Sequence, residues 1–162
     1  MMKHTVYIET TIFSYLTSRP SKNLVAAAWQ QITSDWWRNQ RGRFELYISE
    51  LVVAEAERGN SEAATKRLEQ LQGIPELSIT EEAIALADKL IKKGAVPLKA
   101  ADDAMHIALA AVHDIDYLLT WNCRHIDNAE AKPLIRKVCE DSDYTYPEIC
   151  TPHELMGETD DE

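Results

Sequence analysis

Residues 6–16 read VYIETTIFSYL. The first three, Val6, Tyr7 and Ile8, form an apolar run of the kind that makes a buried strand. The run stops at an acid, Glu9, and two hydroxyls, Thr10 and Thr11, before apolar residues resume at helical spacing. A strand over residues 5–9 followed by a helix over residues 11–17 is the opening unit of an α/β fold, and the helix ends before Pro20. Glu9 then has two readings of equal weight. It is an acid satisfying the helix amino terminus, or it is a functional carboxylate at a strand end.

Outward from that stretch the alternation continues. Residues 23–41 place Val25, Ala28, Trp29, Ile32 and Trp36 on one helical face. A strand over 44–48 meets Ser49, a helix cap for SELVVAEAERG, which stops at Gly59. Ser61 is read as the cap of a further helix with Ala64, Leu68 and Leu71 on its apolar face. ELSI (76–79) suggests a short strand, and Thr80 opens the helix ending at Gly94. Residues 99–114 form the next helix, 115–121 a strand, and 128–141 a helix entered at Pro133. EICTP is a last short strand, and residues 151–156 a turn of helix. Strands separated by helices imply a three-layer α/β/α sandwich with a central, mainly parallel sheet.

Composition bounds the rest. The chain has 162 residues, 45% of them hydrophobic, which suits a single domain over residues 1–156 with an acidic tail, 157–162, expected to be disordered. Cys123, Cys139 and Cys150 are odd in number and follow no paired spacing, so free thiols in a reducing compartment are expected. No apolar run approaches a membrane span, and the early first strand leaves no room for a signal peptide. A cytoplasmic protein with no membrane partner is the expectation. The net charge of −10 repels nucleic acid unless cations or a local basic patch compensate.

Parallel α/β sheets build sites outside the carboxyl ends of their strands, which separates four side chains from the other acids. Glu9 ends the first strand. Glu55 follows the second, three residues after Val52 on a helix whose buried face is read as Leu51, Val52 and Ala54; its bland alternative is a pair with Arg58. Asp103 shares a helix face with His106, while Asp102 is read as the cap. Asn122 ends the 115–121 strand, where a turn role is the alternative. Clustered oxygen ligands repel unless they share a cation. An all-oxygen set suits Mg²⁺ or Mn²⁺, and phosphodiester hydrolysis is a natural chemistry for such a centre. Thr10 and Thr120 are candidates to support the carboxylates, His106 to orient Asp103 or touch substrate, and Arg124 and His125 to contact phosphate. The three tryptophans Trp29, Trp36 and Trp37 read as core or subunit interface. Arg19, Lys22, Arg38, Arg41, Arg43, Lys92, Lys93 and Lys99 are either solvated helix ends or a rim of RNA contacts.

Taken in order, VYIETTIFSYL, SELVVAEAERG, ADDAMHIALA and YLLTWNCRHIDNA resemble the PIN-domain superfamily, and most closely its VapC-type bacterial toxins. The resemblance runs from about Lys3 to Met156 and rests on order and spacing rather than on one motif. It implies a Mg²⁺- or Mn²⁺-dependent ribonuclease with RNA as substrate, a small antitoxin protein as partner, and a homodimer. Glu9, Glu55, Asp103 and Asn122 fall at the family's acidic positions and are the implied catalytic and metal-binding residues. Two depart from the pattern: Glu9 stands where Asp is usual, and Asn122 where Asp is frequent. A catalytically weak PIN-like module that binds RNA or protein is the alternative function.

Overall fold

The computed structural model of the chain describes residues 2–157. Its strands are β1 (Thr5–Ile8), β2 (Glu45–Ser49), β3 (Glu76–Leu77), β4 (Tyr117–Leu119) and β5 (Glu148–Cys150). The helices are α1 (Thr10–Thr17), α2 (Leu24–Asn39), α3 (Glu50–Ala56), α4 (Ser61–Leu71), α5 (Glu81–Lys92), α6 (Ala101–Val112) and α7 (Lys132–Asp141). The strands make one sheet in the order β3-β2-β1-β4-β5, and every pair is parallel. Helices cover both faces: α1 packs on α2, α3 and α4, and α5 packs on α6 and α7. This is the expected three-layer sandwich. Parallel strands must be joined by right-handed crossovers, so reversing the winding direction after β3 sends α5, α6 and α7 to the face opposite α1–α4.

The central strand shows why the fold is stable. Val6, Tyr7 and Ile8 are fully buried, because β1 lies between β2 and β4 with helices above and below. Val6 pairs with Leu46 and Tyr117, and Ile8 with Leu119. The sheet winds from β1 through β2 to β3, then returns to place β4 on the other flank of β1. A gap between the diverging crossovers opens at the carboxyl ends of β1 and β4, the usual location of a site in such a sheet.

Local expectations are met with small shifts and a few corrections. Ser49 and Thr80 cap α3 and α5 as expected, accepting from the Val52 and Ala83 amides. The cap of α4 is Asn60, one residue before Ser61, and its side chain accepts from the Glu62 and Ala63 amides. Asp102 is no cap: α6 is entered from Ala100 through a short 3-10 turn, Leu98–Ala100. On α3 it is Ala56 that is buried, and Ala54 is exposed. The inward face of α2 begins only at Trp29, since Val25 and Ala28 are exposed. Residues 152–155 form a turn instead of a helix.

Of the expected acidic tail, residues 158–162 lie outside the described residues, while the Gly157 amide donates to Gln40 Oε1. All three cysteines are free. Among the described residues no helix is long and apolar enough to cross a membrane.

The layering predicts unequal costs for two leucine truncations. Leu118→Ala, at a fully buried position of β4, should cost about 2–5 kcal/mol in chemical denaturation. Leu98→Ala, at a position 76% exposed, should change stability by less than about 0.5 kcal/mol. Equal costs would contradict the core described above.

Candidate active site

Glu9 sits where β1 hands over to α1. Its amide donates to Leu119 O (3.0 Å), which locks it beside the end of β4. Its backbone is extended, as a cap residue's should be, yet its side chain makes no capping bond. The carboxylate turns inward and is 3% exposed. Oε1 accepts from Thr11 Oγ1 (2.5 Å) and from Thr120 Oγ1 (2.6 Å). Both hydroxyls are themselves fixed, because Thr11 Oγ1 accepts from the Trp121 amide and Thr120 Oγ1 from the Asn122 amide. The helix-cap reading of Glu9 is therefore replaced by that of a deliberately held buried acid. Thr10, expected to support the carboxylates, does so at Glu55, donating to Oε1 at 2.6 Å. Thr11 escaped the sequence reading because nothing in its spacing distinguishes it from an ordinary first-turn threonine.

Glu55 comes to the same place from α3. The anticipated Arg58 pair does not form; Arg58 Nη1 lies 3.4 Å from Asp102 on α6. Glu55 Oε1 meets His106 Nε2 at 2.5 Å. His106 is fully buried, and its Nδ1 lies 2.6 Å from the Tyr7 hydroxyl, which lies 2.7 Å from Ser49 Oγ. Assigning the Nε2 proton to the carboxylate bond leaves Nδ1 to accept from Tyr7, a chain in which every buried group is satisfied. Tyr7 and Ser49 were not singled out from the sequence, where they read as a strand residue and a cap. The alternation of β1, which turns Tyr7 to the α6 face, was the available signal.

Asp103 lies one turn before His106 on the same face of α6 and is half-buried. Asn122 lies across from it, after β4. The Asn122 Oδ1 accepts from the His125 amide (3.0 Å), so this residue closes a turn and presents its NH₂ toward Asp103. Arg124 is exposed on the loop that follows. Asp127, an acid of that loop, points away into an ion pair with Lys132 (2.6 Å). Arg41 and Arg43 precede β2 at the opposite sheet edge, so they do not rim this site. The tryptophans are core-like: Trp36 is fully buried, and Trp29 stacks on Trp121 at 4.6 Å between centroids.

The electrostatics follow from burial. Desolvation pushes Glu9 above the usual carboxylate range, against the pull of His106 and the threonine hydroxyls. Asp103 is raised by the same cause, opposed by the Asn122 amide and by His106. Burial acts most strongly on Glu55 and would raise it, but the bond and charge of His106, the Thr10 hydroxyl and the charge of Arg58 together outweigh that and hold it low. Desolvation acts to lower His106, yet the three acids around it, led by Glu55, push it up.

One ligand atom from each of Glu9, Glu55 and His106 can be chosen so that all lie within 4.8 Å of one another. Because both nitrogens of His106 are already bonded, its part is to orient Glu55. The oxygens of Glu9 and Glu55 are the pair that suits a hard divalent cation, while Asp103 does not join them within that distance.

The family model described as PIN domain matches residues 6–132. A search of curated protein sequences finds no match. Among solved structures, the chain is similar to VapBC2 from Rickettsia felis, bound to a DNA fragment from its promoter. That match has a TM-score of 0.59 at 12% identity and covers 91% of this chain and 98% of the other. It is also similar to VapBC-1 from nontypeable Haemophilus influenzae, with a TM-score of 0.54 at 16% identity, covering 92% and 98%. At these identities the likeness is one of fold.

The Glu55–His106 pair makes stability depend on pH in a definite direction. Folding raises His106 above its reference of 6.5. Its contribution is complete below that value and is lost as pH rises through the raised one. Glu55 is held below 4.5, so its contribution is present above that value and lost as pH falls through the lowered one. Measured in EDTA by denaturant midpoint, the wild type should lose stability relative to His106→Gln as pH rises above 6.5. Parallel pH profiles would show that the pair does not form.

Proposed function

The chain belongs to the PIN domain family, and on that premise we propose that it is a metal-dependent endoribonuclease of the VapC type, the toxin of a toxin–antitoxin pair. The observation that carries the reading is the convergence of Glu9 and Glu55 on the buried His106 at the sheet's switch point, with Asp103 on the same face of α6. An inward-turned carboxylate at 3% exposure is costly unless it is paired or coordinates a cation. Mg²⁺ or Mn²⁺ is the cofactor we assign, and Glu9, Glu55 and Asp103 are its proposed ligands. When bound, such an ion activates water and stabilises the leaving oxygen of a phosphodiester.

The rest is done by the chain itself. Thr11 and Thr120 fix the Glu9 carboxylate by donating to the same oxygen, which leaves the other free to face the site. His106 and Thr10 do the same for Glu55, and Tyr7 fixes the ring of His106. Each acid thus enters the reaction already oriented, so little reorganisation accompanies binding. Asn122 donates toward Asp103 and favours its ionised form, against the burial that raises it. Arg124 and His125, next along the chain, are the proposed contacts to substrate phosphates. A small antitoxin protein and a second copy of the chain are the proposed partners, and the cytoplasm the proposed location.

One observation favours a second reading. The Asn122 oxygen is committed to the His125 amide, so this position contributes no anionic ligand where the family frequently has one. A PIN-like module that binds RNA or protein and cuts weakly or not at all is the alternative.

Incubating mixed cellular RNA with the protein and Mn²⁺ should yield cleavage that EDTA abolishes. Glu9→Gln and Asp103→Asn should abolish it too, with the thermal transition retained. Equal cleavage by both variants would remove the site assignment. His106→Gln should reduce cleavage by about 10–100-fold through loss of an orienting partner. Asn122→Asp discriminates the two readings: a gain in rate means the missing charge limits a working nuclease, and continued RNA binding without turnover favours the binding module.

A further inference from the structure

Two clefts on the face carrying α5, α6 and α7 lie beyond the Glu9–Glu55–His106 cluster. The first, of about 330 Å³, lies between the residues that follow α5 (Gly94, Ala95 and Pro97) and the loop that follows β4 (Arg124, His125 and Asn128). The second, of about 400 Å³, lies in the valley between α5 and α7 and is walled by Lys89, Lys93 and Lys137, with Val138 in its lining. Leu134, 37% exposed, lines both, so the two join at that residue. The near end begins at the catalytic edge: His125 is close enough to bear on the charge of Asp103, and its amide is held by Asn122. From there the path passes Leu134 and descends between α5 and α7.

Three features of this path suit a strand of nucleic acid. The first is its charge. Lys89, Lys93, Lys137 and Arg124 face it against two acids, Asp141 and Glu130, on a chain whose net charge is −10. Only the exposed i,i+4 pair of Lys137 with Asp141 (2.8 Å) neutralises any of these cations among the described residues, and such a pair is weak. The second is rigidity. The loop from Asn122 to Ala131 is pinned by Asn122 accepting from His125, by Asn128 accepting from Glu130 and Ala131, by the Asp127–Lys132 pair, and by the fully buried Ile126. Arg124 is thus presented by a preformed turn. The third is a floor of Leu134, Val138, Ala95 and Pro97, on which ribose and base faces can lie while lysines on the rim meet phosphates.

We propose that these joined clefts are the track that holds the single-stranded RNA chain flanking the scissile bond, leading it from Arg124 and His125 to the lysines between α5 and α7. The proposal rests on the nuclease reading for what happens at the track's near end. The occupant is RNA because the path is continuous with the acidic site. An isolated basic groove would suit an acidic peptide equally well.

The test reads binding and cleavage separately. The full chain, made inactive by Asp103→Asn, is titrated into fluorescent oligouridylates of ~4 and ~16 nucleotides in Mg²⁺. Lys89→Gln/Lys93→Gln should weaken binding of the longer strand several-fold in about 50 mM salt, and reduce the slope of log affinity against log salt by ~0.7 per lysine. Binding of the shorter strand should be unchanged. The same pair of substitutions in the active protein should raise KM for the longer strand and leave kcat alone. Unchanged affinity for the longer strand, or equal losses for both lengths, overturns the track. So does an oligoglutamate whose binding requires Lys89 and Lys93 while binding of the longer RNA does not, which would make this a protein-docking groove. If the protein binds the longer strand through these lysines but cuts no RNA, the nuclease reading fails and the track stands. If it cuts RNA with the lysine variants bound as tightly as wild type, the reverse holds.

Discussion

The carboxylate of Glu9 is the constraint around which this structure is arranged. It is buried at the end of the central strand, a position that ordinarily takes an apolar side chain, and burying a charge there is unfavourable unless it is compensated. The compensation comes from three directions in the chain. Thr11 donates from the first turn of α1, Thr120 donates from the end of β4, and the ring of His106 lies 3.9 Å away on α6. Each of these groups is held by a further bond, so the acid is fixed to a scaffold rather than to one neighbour. The sheet order makes this possible, because only reversing the winding brings β4 beside β1 and α6 over both.

The second carboxylate is governed by a different balance. Glu55 is less buried than Glu9 and has its own base. His106 holds it ionised while burial holds Glu9 toward the protonated form. Two acids a short distance apart thus have environments that push them in opposite directions, an arrangement that marks functional sites more often than structural ones. The Tyr7 and Ser49 hydroxyls complete the set by orienting His106, so the buried polar chain runs unbroken from the cap of α3 to the edge of the site. That continuity gives a physical reason for a polar phenol in the most buried strand of the protein.

Much of this was legible in the chain, and what was not has identifiable causes. Apolar runs bounded by caps gave the element order, since Val6–Tyr7–Ile8 and Leu118–Leu119 carry a signal that survives without tertiary information. The rule that sites form at strand carboxyl ends selected Glu9, Glu55 and Asp103 from 27 acids, and the structure brings them to one edge. Partners were less legible. Glu55 faced Arg58 by helical spacing, yet His106 of another helix took it, because a buried imidazole offers a shorter and better-desolvated bond than an exposed guanidinium. Thr11, Tyr7 and Ser49 stayed hidden because each also satisfies a local role, and a sequence shows only that role. The exposed start of α2 was misread because its small apolar residues keep helical spacing beyond the stretch that meets the core.

The account stands on Glu9 and Glu55 being held ready for a divalent cation. Calorimetric titration of the chelator-treated protein with Mn²⁺ tests this most directly, alongside Glu9→Gln and Glu55→Gln variants whose far-ultraviolet circular dichroism matches wild type. The account predicts a saturable binding heat for the wild type that is strongly weakened in both variants. Equal Mn²⁺ binding by all three proteins, or none by the wild type, would contradict it.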